Sequence, residues 1–290
     1  SDNNGSSWSI ISPDLTRNDR SKMGRSGGPL TGDMTGVEHY GTIFAFTESH
    51  HDAGVFWTAS DDGLVHLSRD HGKTWNDVTP HALPDDALIG TLECSIHDPD
   101  TVYLSATRYK FDDTKPYLLK TNDSGTTWTK ITDGIPDDDF TRVIREDKMR
   151  RGLLYAGTET GIYISYDDGA SWQSLRGNTS TGQGQPLPIV PVHDLKIKGN
   201  DLVVGTHGRS FWILDDLALV RQLDGPREDE AVLFEPAPTY RIAPPMDIAR
   251  PTAKGKNYHV TLGVRGVFYD KTVTDGTSRR IFLDSGTNPP

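Results

Sequence analysis

The stretch SYDDGASW, residues 165–172, joins an apolar run to a tryptophan through a short polar turn. The same pattern, Ser/Thr-x-Asp/Asn-x-Gly-x-Ser/Thr-Trp, occurs at 1–8, 68–75 and 121–128. In such a turn an Asp or Asn side chain accepts hydrogen bonds from later backbone amides, and Gly supplies a positive φ. We therefore predict four equivalent β-hairpin turns, built by Asn3, Gly5, Trp8, Asp70, Gly72, Trp75, Asp123, Gly125, Trp128, Asp167, Gly169 and Trp172.

Strand-like runs surround these turns at regular intervals. The four tryptophans are 67, 53 and 44 residues apart, which is close to the length of a four-stranded propeller blade. Three runs lead into a turn and one leaves it, as with TIFAFT, VFWTAS, LVHLS and TWNDVT between 42 and 79. A fourth unit, 190–216, has three runs and no turn of this kind. The pattern predicts an all-β fold, a β-propeller of four-stranded antiparallel blades in an incomplete ring.

The same runs predict the domain organisation. Residues 1–12 are predicted as the outer strand of an otherwise missing blade, and 13–222 as about four blades. A Pro-rich strap or linker follows over 223–257, and 258–290 is a short β segment leading to a missing module. Because an open ring exposes unpaired strand edges, we predict that the chain is a fragment. An amino-terminal portion or a partner chain would complete the propeller.

Composition excludes several classes of protein. The net charge of −11 argues against a nucleic-acid surface, which needs clustered Lys and Arg. The single cysteine, Cys94, lies in an apolar run and excludes an intramolecular disulfide. No stretch reaches the roughly 18 apolar residues of a spanning helix, so the chain is predicted not to span a membrane.

The repeated turns resemble Asp-boxes, also called bacterial neuraminidase (BNR) repeats. The phrases LYAGTETGIYISYDDGASW at 154–172 and VVGTHGRSFWILDDL at 203–217 are similar to a family of large secreted bacterial proteins called sortilin-like or glycosyl-hydrolase-like. This resemblance covers residues 1–220. It implies the carboxy-terminal part of a propeller and a secreted, periplasmic or cell-envelope location. Asp-boxes are structural turns, so they do not by themselves imply an activity.

Candidate functional residues are polar groups that interrupt or border the inner strands, since propellers bind ligands around the channel. Paired carboxylates are predicted from Glu38, Glu48, Glu93 and Asp194. Binding contacts are predicted at Tyr40, Arg108, Arg145, His193, His207 and Arg209. Ion pairs between blades would explain the same residues without any site.

Two functions remain open on this evidence. The first is an interaction scaffold that binds protein, peptide or glycan on its channel face. The alternative is a glycoside hydrolase, like the sialidase and xyloglucanase propellers, which would use two carboxyl groups facing a sugar. No complete catalytic set is recognisable, so the sequence leaves open whether the chain is an enzyme.

No cofactor and no transition-metal site is predicted. The acidic loops Asp112-Asp113 and Asp137–Asp139 are rich in the oxygen ligands that structural calcium prefers, although solvated loop tips have the same composition. There is no Gly-rich phosphate loop, nucleophile elbow or dinucleotide fingerprint.

Overall fold

The computed structural model describes most of the chain. The described residues are 1, 3–33, 39–175, 187–223 and 233–236, and the backbone of the strands at 257–260, 266–272 and 278–284. The chain forms two compact units, Ser1–Ala237 and Pro238–Pro290. Glu38 and most of the strap predicted over 223–257 lie outside the described residues.

The first unit is built from short antiparallel strands in chain order. A two-residue pairing joins β1 (Ser26–Gly27) to β2 (Gly32–Asp33), and four sheets follow, which we call blades 1 to 4. Blade 1 consists of β3 (Ile43–Glu48), β4 (Phe56–Ser60), β5 (Val65–Ser68) and β6 (Asn76–Asp77). Blade 2 consists of β7 (Leu88–Cys94), β8 (Val102–Arg108), β9 (Asp113–Thr121) and β10 (Thr129–Lys130). Blade 3 consists of β11 (Thr141–Glu146), β12 (Leu154–Thr158), β13 (Ile162–Ser165) and β14 (Gln173–Ser174), and blade 4 of β15 (Val192–Lys198), β16 (Asp201–Thr206) and β17 (Phe211–Leu214).

Each blade is a meander in which every strand pairs with the next. The first strands of consecutive blades, β3, β7, β11 and β15, contact one another in that order and form an inner row. The prediction of an all-β fold with four-stranded antiparallel propeller blades is confirmed. The predicted three-run unit at 190–216 is also present, as blade 4.

The hydrophobic core lies between the blades. Trp57 of blade 1 packs with Ile89 and Leu104 of blade 2 in one cluster. A second cluster joins blades 2 and 3 and a third joins blades 3 and 4, where Tyr155 and Leu195 meet. Alternating apolar residues on both faces of each sheet supply these layers. The free thiol of Cys94 belongs to the first cluster, and burial raises its pKa to about 12.

The row of blades is open among the described residues. Phe46 of blade 1 is 57% exposed, and Phe211 of blade 4 is 78% exposed. Residues 8–12, predicted as an outer strand, form no strand pairing in the described part of the chain. Trp8 is 81% exposed there, unlike Trp172, the equivalent tryptophan of blade 3, which is 5% exposed. The assignment of 1–12 to a further blade stays a prediction.

All four inner strands carry a β-bulge at the same register. The pairing with the second strand shifts by one residue at Phe44, Gly90, Arg142 and His193. The bulges lie at the end of the blades that also carries the turns between the second and third strands. We call this end the upper face, and the opposite end the lower end. Bulges re-aim the side chain of the extra residue, so the upper rim of the inner row presents Arg142 and His193 on adjacent blades.

The second unit contains an antiparallel meander of β18 (Asn257–Val260), β19 (Gly266–Thr272) and β20 (Ser278–Asp284). In the described part of the chain, the helical segments are α1 (Ala218–Gln222) and a 3₁₀ turn at Tyr109–Phe111. None of the described helices is long and apolar enough to cross a membrane.

Candidate functional site

The repeated turns share one hydrogen-bond pattern. The amide of Ser171 donates to Asp167 Oδ1 at 2.9 Å, and its hydroxyl donates to Oδ2 at 2.6 Å. The Gly169 amide donates to the Ser165 hydroxyl at 2.9 Å, with Gly169 at a φ of +88°. The acceptors at the equivalent positions of the other turns are Asn3, Asp70 and Asp123. The predicted turn residues therefore stabilise the hairpin turns at the lower end of the blades.

The turn tryptophans connect consecutive blades. Trp128 Nε1 donates to the Val78 carbonyl at 2.8 Å, and Trp172 Nε1 donates to the Ile131 carbonyl at 2.8 Å. Trp75 Nε1 makes the same bond to the Ile11 carbonyl at 3.1 Å. In every case the acceptor lies three residues after the preceding turn tryptophan. Ile11 thus occupies, against blade 1, the place that Val78 occupies against blade 2.

An aromatic and guanidinium cluster lies on the upper face between blades 2 and 3. The rings of Tyr109 and Phe140 stack with centroids 5.1 Å apart and an interplanar angle of 14°. The Arg142 guanidinium lies over both rings, 5.4 and 4.9 Å from their centroids. Two of its nitrogens, Nε and Nη2, donate to Glu159 Oε2 at 2.8 and 2.6 Å. The hydrogen bonds to Glu159 therefore fix the position of the Arg142 guanidinium next to the two rings.

A cavity of about 140 Å³ opens beside this cluster, between blades 1 and 2. Its walls are aromatic and aliphatic, with charged groups at the edge: Tyr40, Asp61, Asp86, Leu88, Thr107, Arg108, Tyr109, Lys110 and Phe111. The hydroxyl of Thr107, whose residue is 6% exposed, has no hydrogen-bond partner in the described part of the chain. A buried hydroxyl without a partner is costly, so Thr107 is an unusual polar group next to a mainly apolar cavity.

Two predicted binding residues border this cavity. The Tyr40 hydroxyl donates to Asp86 Oδ1 at 2.5 Å, and burial together with the Asp86 charge raises the pKa of Tyr40. Arg108 Nε donates to the Asp85 carbonyl at 3.0 Å, and its guanidinium lies 5.0 Å from the Phe111 ring centroid. Both side chains are therefore fixed in place at the mouth of the cavity.

Three other predicted residues meet on the inner row. Arg145 Nη1 lies 3.3 Å from Glu93 Oε2, and Nη2 lies 2.8 Å from Asp194 Oδ1. Arg145 Nε also donates to the Leu195 carbonyl at 2.8 Å. Burial raises the pKa of Glu93, while the charge of Arg145 opposes the shift. One guanidinium thus joins the inner strands of blades 2, 3 and 4.

Glu48 lies apart from these groups. Its Oε1 accepts the Gly54 amide at 2.9 Å in the turn between β3 and β4, at the lower end. The structure therefore does not bring Glu48 to the cavity, to the Arg145 cluster or to the histidines, and it does not describe Glu38.

The predicted histidines lie together on blade 4. The ring centroids of His193 and His207 are 5.0 Å apart. His207 lies in the turn between β16 and β17, and its amide donates to the Pro191 carbonyl at 2.9 Å. Arg209 is exposed in the same turn, and its carbonyl accepts Trp212 Nε1 at 3.0 Å. Burial and the charges of Arg142 and His207 lower the pKa of His193, while Glu159 opposes the shift.

One carboxylate in each of the two acidic loops accepts hydrogen bonds from within the chain. Asp139 accepts hydrogen bonds from the Thr158 hydroxyl at 2.9 Å and the Thr160 hydroxyl at 2.7 Å. Asp113 accepts from the Tyr117 hydroxyl at 2.7 Å. Over the described residues, no group of three or more His, Cys, Asp or Glu side chains is arranged to hold a metal ion.

No protein-family model matches the sequence, and no curated protein matches it. Among solved structures, the chain is similar to YCF48 bound to D1 peptide, with a TM-score of 0.45 and 16% identity over 84% of this chain and 68% of that chain. It is similar to the GH74 xyloglucanase from Xanthomonas campestris, with a TM-score of 0.45 and 16% identity over 84% of this chain and 37% of that chain. For an ancestral GH74 enzyme the TM-score is 0.45 and the identity 14%, over 58% of this chain and 22% of that chain. The chain thus spans well under half of either GH74 enzyme, and neither the fold nor the site depends on these similarities.

Sequence reasoning missed the aromatic side chains of the cluster, Tyr109, Phe111 and Phe140. The signal was present in the stretch RYKFDD at 108–113, which lies in an extended hairpin between β8 and β9, where Ala106 pairs with Tyr117. The equivalent hairpins of blades 1 and 3 close earlier, with pairs Ala59–Val65 and Gly157–Ile162. An extended turn with two aromatic residues indicates a surface that is built for contact.

Proposed function

We propose that this chain is an interaction scaffold that binds an extended peptide on the upper face of its blades. One apolar side chain of the peptide enters the cavity between blades 1 and 2. The observation that supports this proposal is the apolar cavity, with the stacked rings of Tyr109 and Phe140 beside it.

The size of the cavity supports a chain-like ligand. Pockets that enclose a whole small molecule measure about 300–1,000 Å³, and this cavity measures about 140 Å³. It therefore has room for one group of a larger ligand, whose remainder lies across the surface. Rigid aromatic side chains next to such an anchor pocket are typical of binding hot spots.

The wider identity belongs to the same proposal. We infer that the repeated turns are Asp-boxes and that the chain belongs among sortilin-like, secreted or envelope propellers. Four turns with one hydrogen-bond pattern support this inference. The position of Ile11 against Trp75, and the three strands of blade 4, support a ring completed by a further chain segment or a partner.

Peptide selection with variants tests the proposal. Peptides selected by the wild-type chain from a displayed random library are labelled, and their affinity is measured by fluorescence anisotropy. Tyr109→Ala is expected to weaken binding about 10- to 30-fold, the loss of an aromatic anchor. Tyr109 is 40% exposed, so the variant keeps its fold.

The matched control is Met149→Ala, since Met149 is 73% exposed in the turn between β11 and β12 at the lower end. This variant is expected to bind like the wild type. Equal affinity of Tyr109→Ala and wild type would overturn the proposal. The same two variants are also tested on a glycan array. Glycan binding that Tyr109→Ala loses and Met149→Ala keeps would identify a sugar as the ligand instead of a peptide.

A glycoside hydrolase is the second candidate, and the inner row favours it. Glu93 has a raised pKa, as a general acid requires, and Asp194 shares its guanidinium partner. The test is sugar release from xyloglucan and from a sialylated glycan by wild type and Glu93→Gln. Release that Glu93→Gln abolishes supports an enzyme; no release by the wild type from either substrate counts against these two activities.

A further inference from the structure

The bulges of blades 3 and 4 bring together cationic groups that the peptide cavity does not use. Arg142 and His193 are the extra residues of β11 and β15 at the same register, so both lie at the upper rim. The ring of His207 lies against that of His193, with centroids 5.0 Å apart. The backbone bond from the His207 amide to Pro191 fixes the turn next to the start of β15.

Most charged groups around the pair of His193 and His207 are neutralised by a partner of opposite charge. Facing His193 are Arg142 from β11, Glu159 from the turn after β12, and His207 from the turn after β16. Arg142 is already neutralised by Glu159 at 2.6 Å, and on the strand of His193 itself Asp194 is paired with Arg145. The net charge of the rim is therefore set by the two imidazoles and by exposed Arg209.

We propose that His193 and His207, with exposed Arg209 in the same turn as His207, bind a carboxylate of an acidic peptide, and bind it more tightly at mildly acidic pH. A carboxylate accepts hydrogen bonds from imidazole N–H groups, and accepts them more strongly when the ring is charged. Protonation of His193 adds both a charge and a second N–H donor to the site.

The sign of the effect follows from linkage. The pKa of free His193 is lowered from its ordinary value of 6.5, so binding of a carboxylate at neutral pH is coupled to the uptake of a proton from solvent. A ligand that binds the protonated form gains affinity as pH falls through this pKa. Glutamate side chains stay ionised at pH 5.5, because their ordinary pKa is about 4.3.

The test uses a labelled, end-blocked hexaglutamate peptide, with hexaglutamine as the uncharged probe. Anisotropy titrations of the wild type are expected to show binding about 10-fold tighter at pH 5.5 than at pH 7.5. His193→Gln/His207→Gln is expected to reduce this ratio to about 1. His50→Gln, a change at an exposed lower-end residue, is the matched control and keeps the ratio.

Three results would overturn the assignment. They are an unchanged ratio in the double variant, hexaglutamine binding as tightly as hexaglutamate, and acid-dependent binding of an oligogalacturonate without binding of hexaglutamate. Arg209→Gln separates the role of a permanent charge from that of the histidines. This variant is expected to bind hexaglutamate more weakly at both pH values, with an unchanged ratio between the two affinities.

This inference rests on the proposed peptide-binding function and fails separately from it. Hexaglutamate has no apolar side chain for the cavity, so Tyr109→Ala is expected to leave its binding intact. If selected apolar peptides ignore Tyr109 while hexaglutamate binds with acid dependence, the cavity proposal fails and the carboxylate site stands.

Discussion

Asp70 illustrates what one side chain contributes to the turns. Its carboxylate accepts the Thr74 amide at 2.9 Å and the Thr74 hydroxyl at 2.7 Å. These two bonds lower the pKa of Asp70 from 3.8 to about 2. The first turn uses Asn3 in the same role, with its side-chain oxygen accepting the Ser7 amide. An uncharged amide is thus compatible with the turn geometry.

We predict that Asp70→Asn removes part of the acid sensitivity of the fold. Because the folded pKa is depressed, the stabilisation by ionised Asp70 is complete above its ordinary pKa of 3.8 and is lost as pH falls through about 2. Thermal melts between pH 4 and pH 2 should therefore fall less steeply for Asp70→Asn than for the wild type. Asp138→Asn, in an exposed loop, should keep the wild-type slope, and equal slopes for all three chains would contradict the prediction.

Consecutive blades are joined by their turns, because a turn of one blade packs on the outer strand of the blade before it. Gly125 has a φ of +84°, and a Cβ there would lie 2.8 Å from the Val78 Cβ. The equivalent glycine, Gly169, would meet Ile131 at 2.7 Å. Glycine is therefore required at this position of the turn for two reasons: it allows the positive φ of the turn, and it leaves room for the contact between blades.

We predict that Gly125→Ala destabilises the chain more than Gly199→Ala. Both substitutions place a Cβ at positive φ, which costs about 1–2 kcal/mol. Gly199 has open space around its Cα, with a φ of +61°, so it measures the conformational cost alone. The clash with Val78 should add about 1–3 kcal/mol to the free energy of unfolding lost by Gly125→Ala. Urea denaturation measures the free energy of unfolding of both variants. Equal losses would contradict the prediction, because the contact between the blades would then accommodate the extra methyl group without cost.

Across the whole row of blades, Arg145 joins three inner strands through Glu93, Asp194 and the Leu195 carbonyl. Its side chain is 19% exposed and that of Glu93 is 25% exposed, whereas that of Asp194 is 67% exposed. Removal of the guanidinium therefore leaves Glu93 as the carboxylate with the poorest access to water. The cost depends on whether Glu93 is ionised.

We predict that Arg145→Ala lowers the free energy of unfolding by about 2–3 kcal/mol at pH 7, somewhat less than for a fully buried pair. The loss should shrink near pH 4.5, because the raised pKa of Glu93 makes its carboxyl neutral there before an ordinary glutamate is. Glu93→Gln/Arg145→Ala should recover part of the stability at pH 7. Chemical denaturation at the two pH values measures these effects, and a larger loss at pH 4.5 than at pH 7 would contradict the account.

Local sequence signals are enough to predict the blades of this protein. The positions of Gly72, Gly125 and Gly169, each with an Asp two residues earlier, specify turns through interactions within about eight residues, and the apolar runs beside them specify the strands. Which polar groups meet depends instead on how the blades pack. Arg145 reaches Glu93 and Asp194 from 52 and 49 residues away, Tyr109 stacks on Phe140, and Glu48 turns to the lower end. These outcomes depend on strand register and on bulges such as the one at His193, which follow from packing between blades and have no local signature in the sequence.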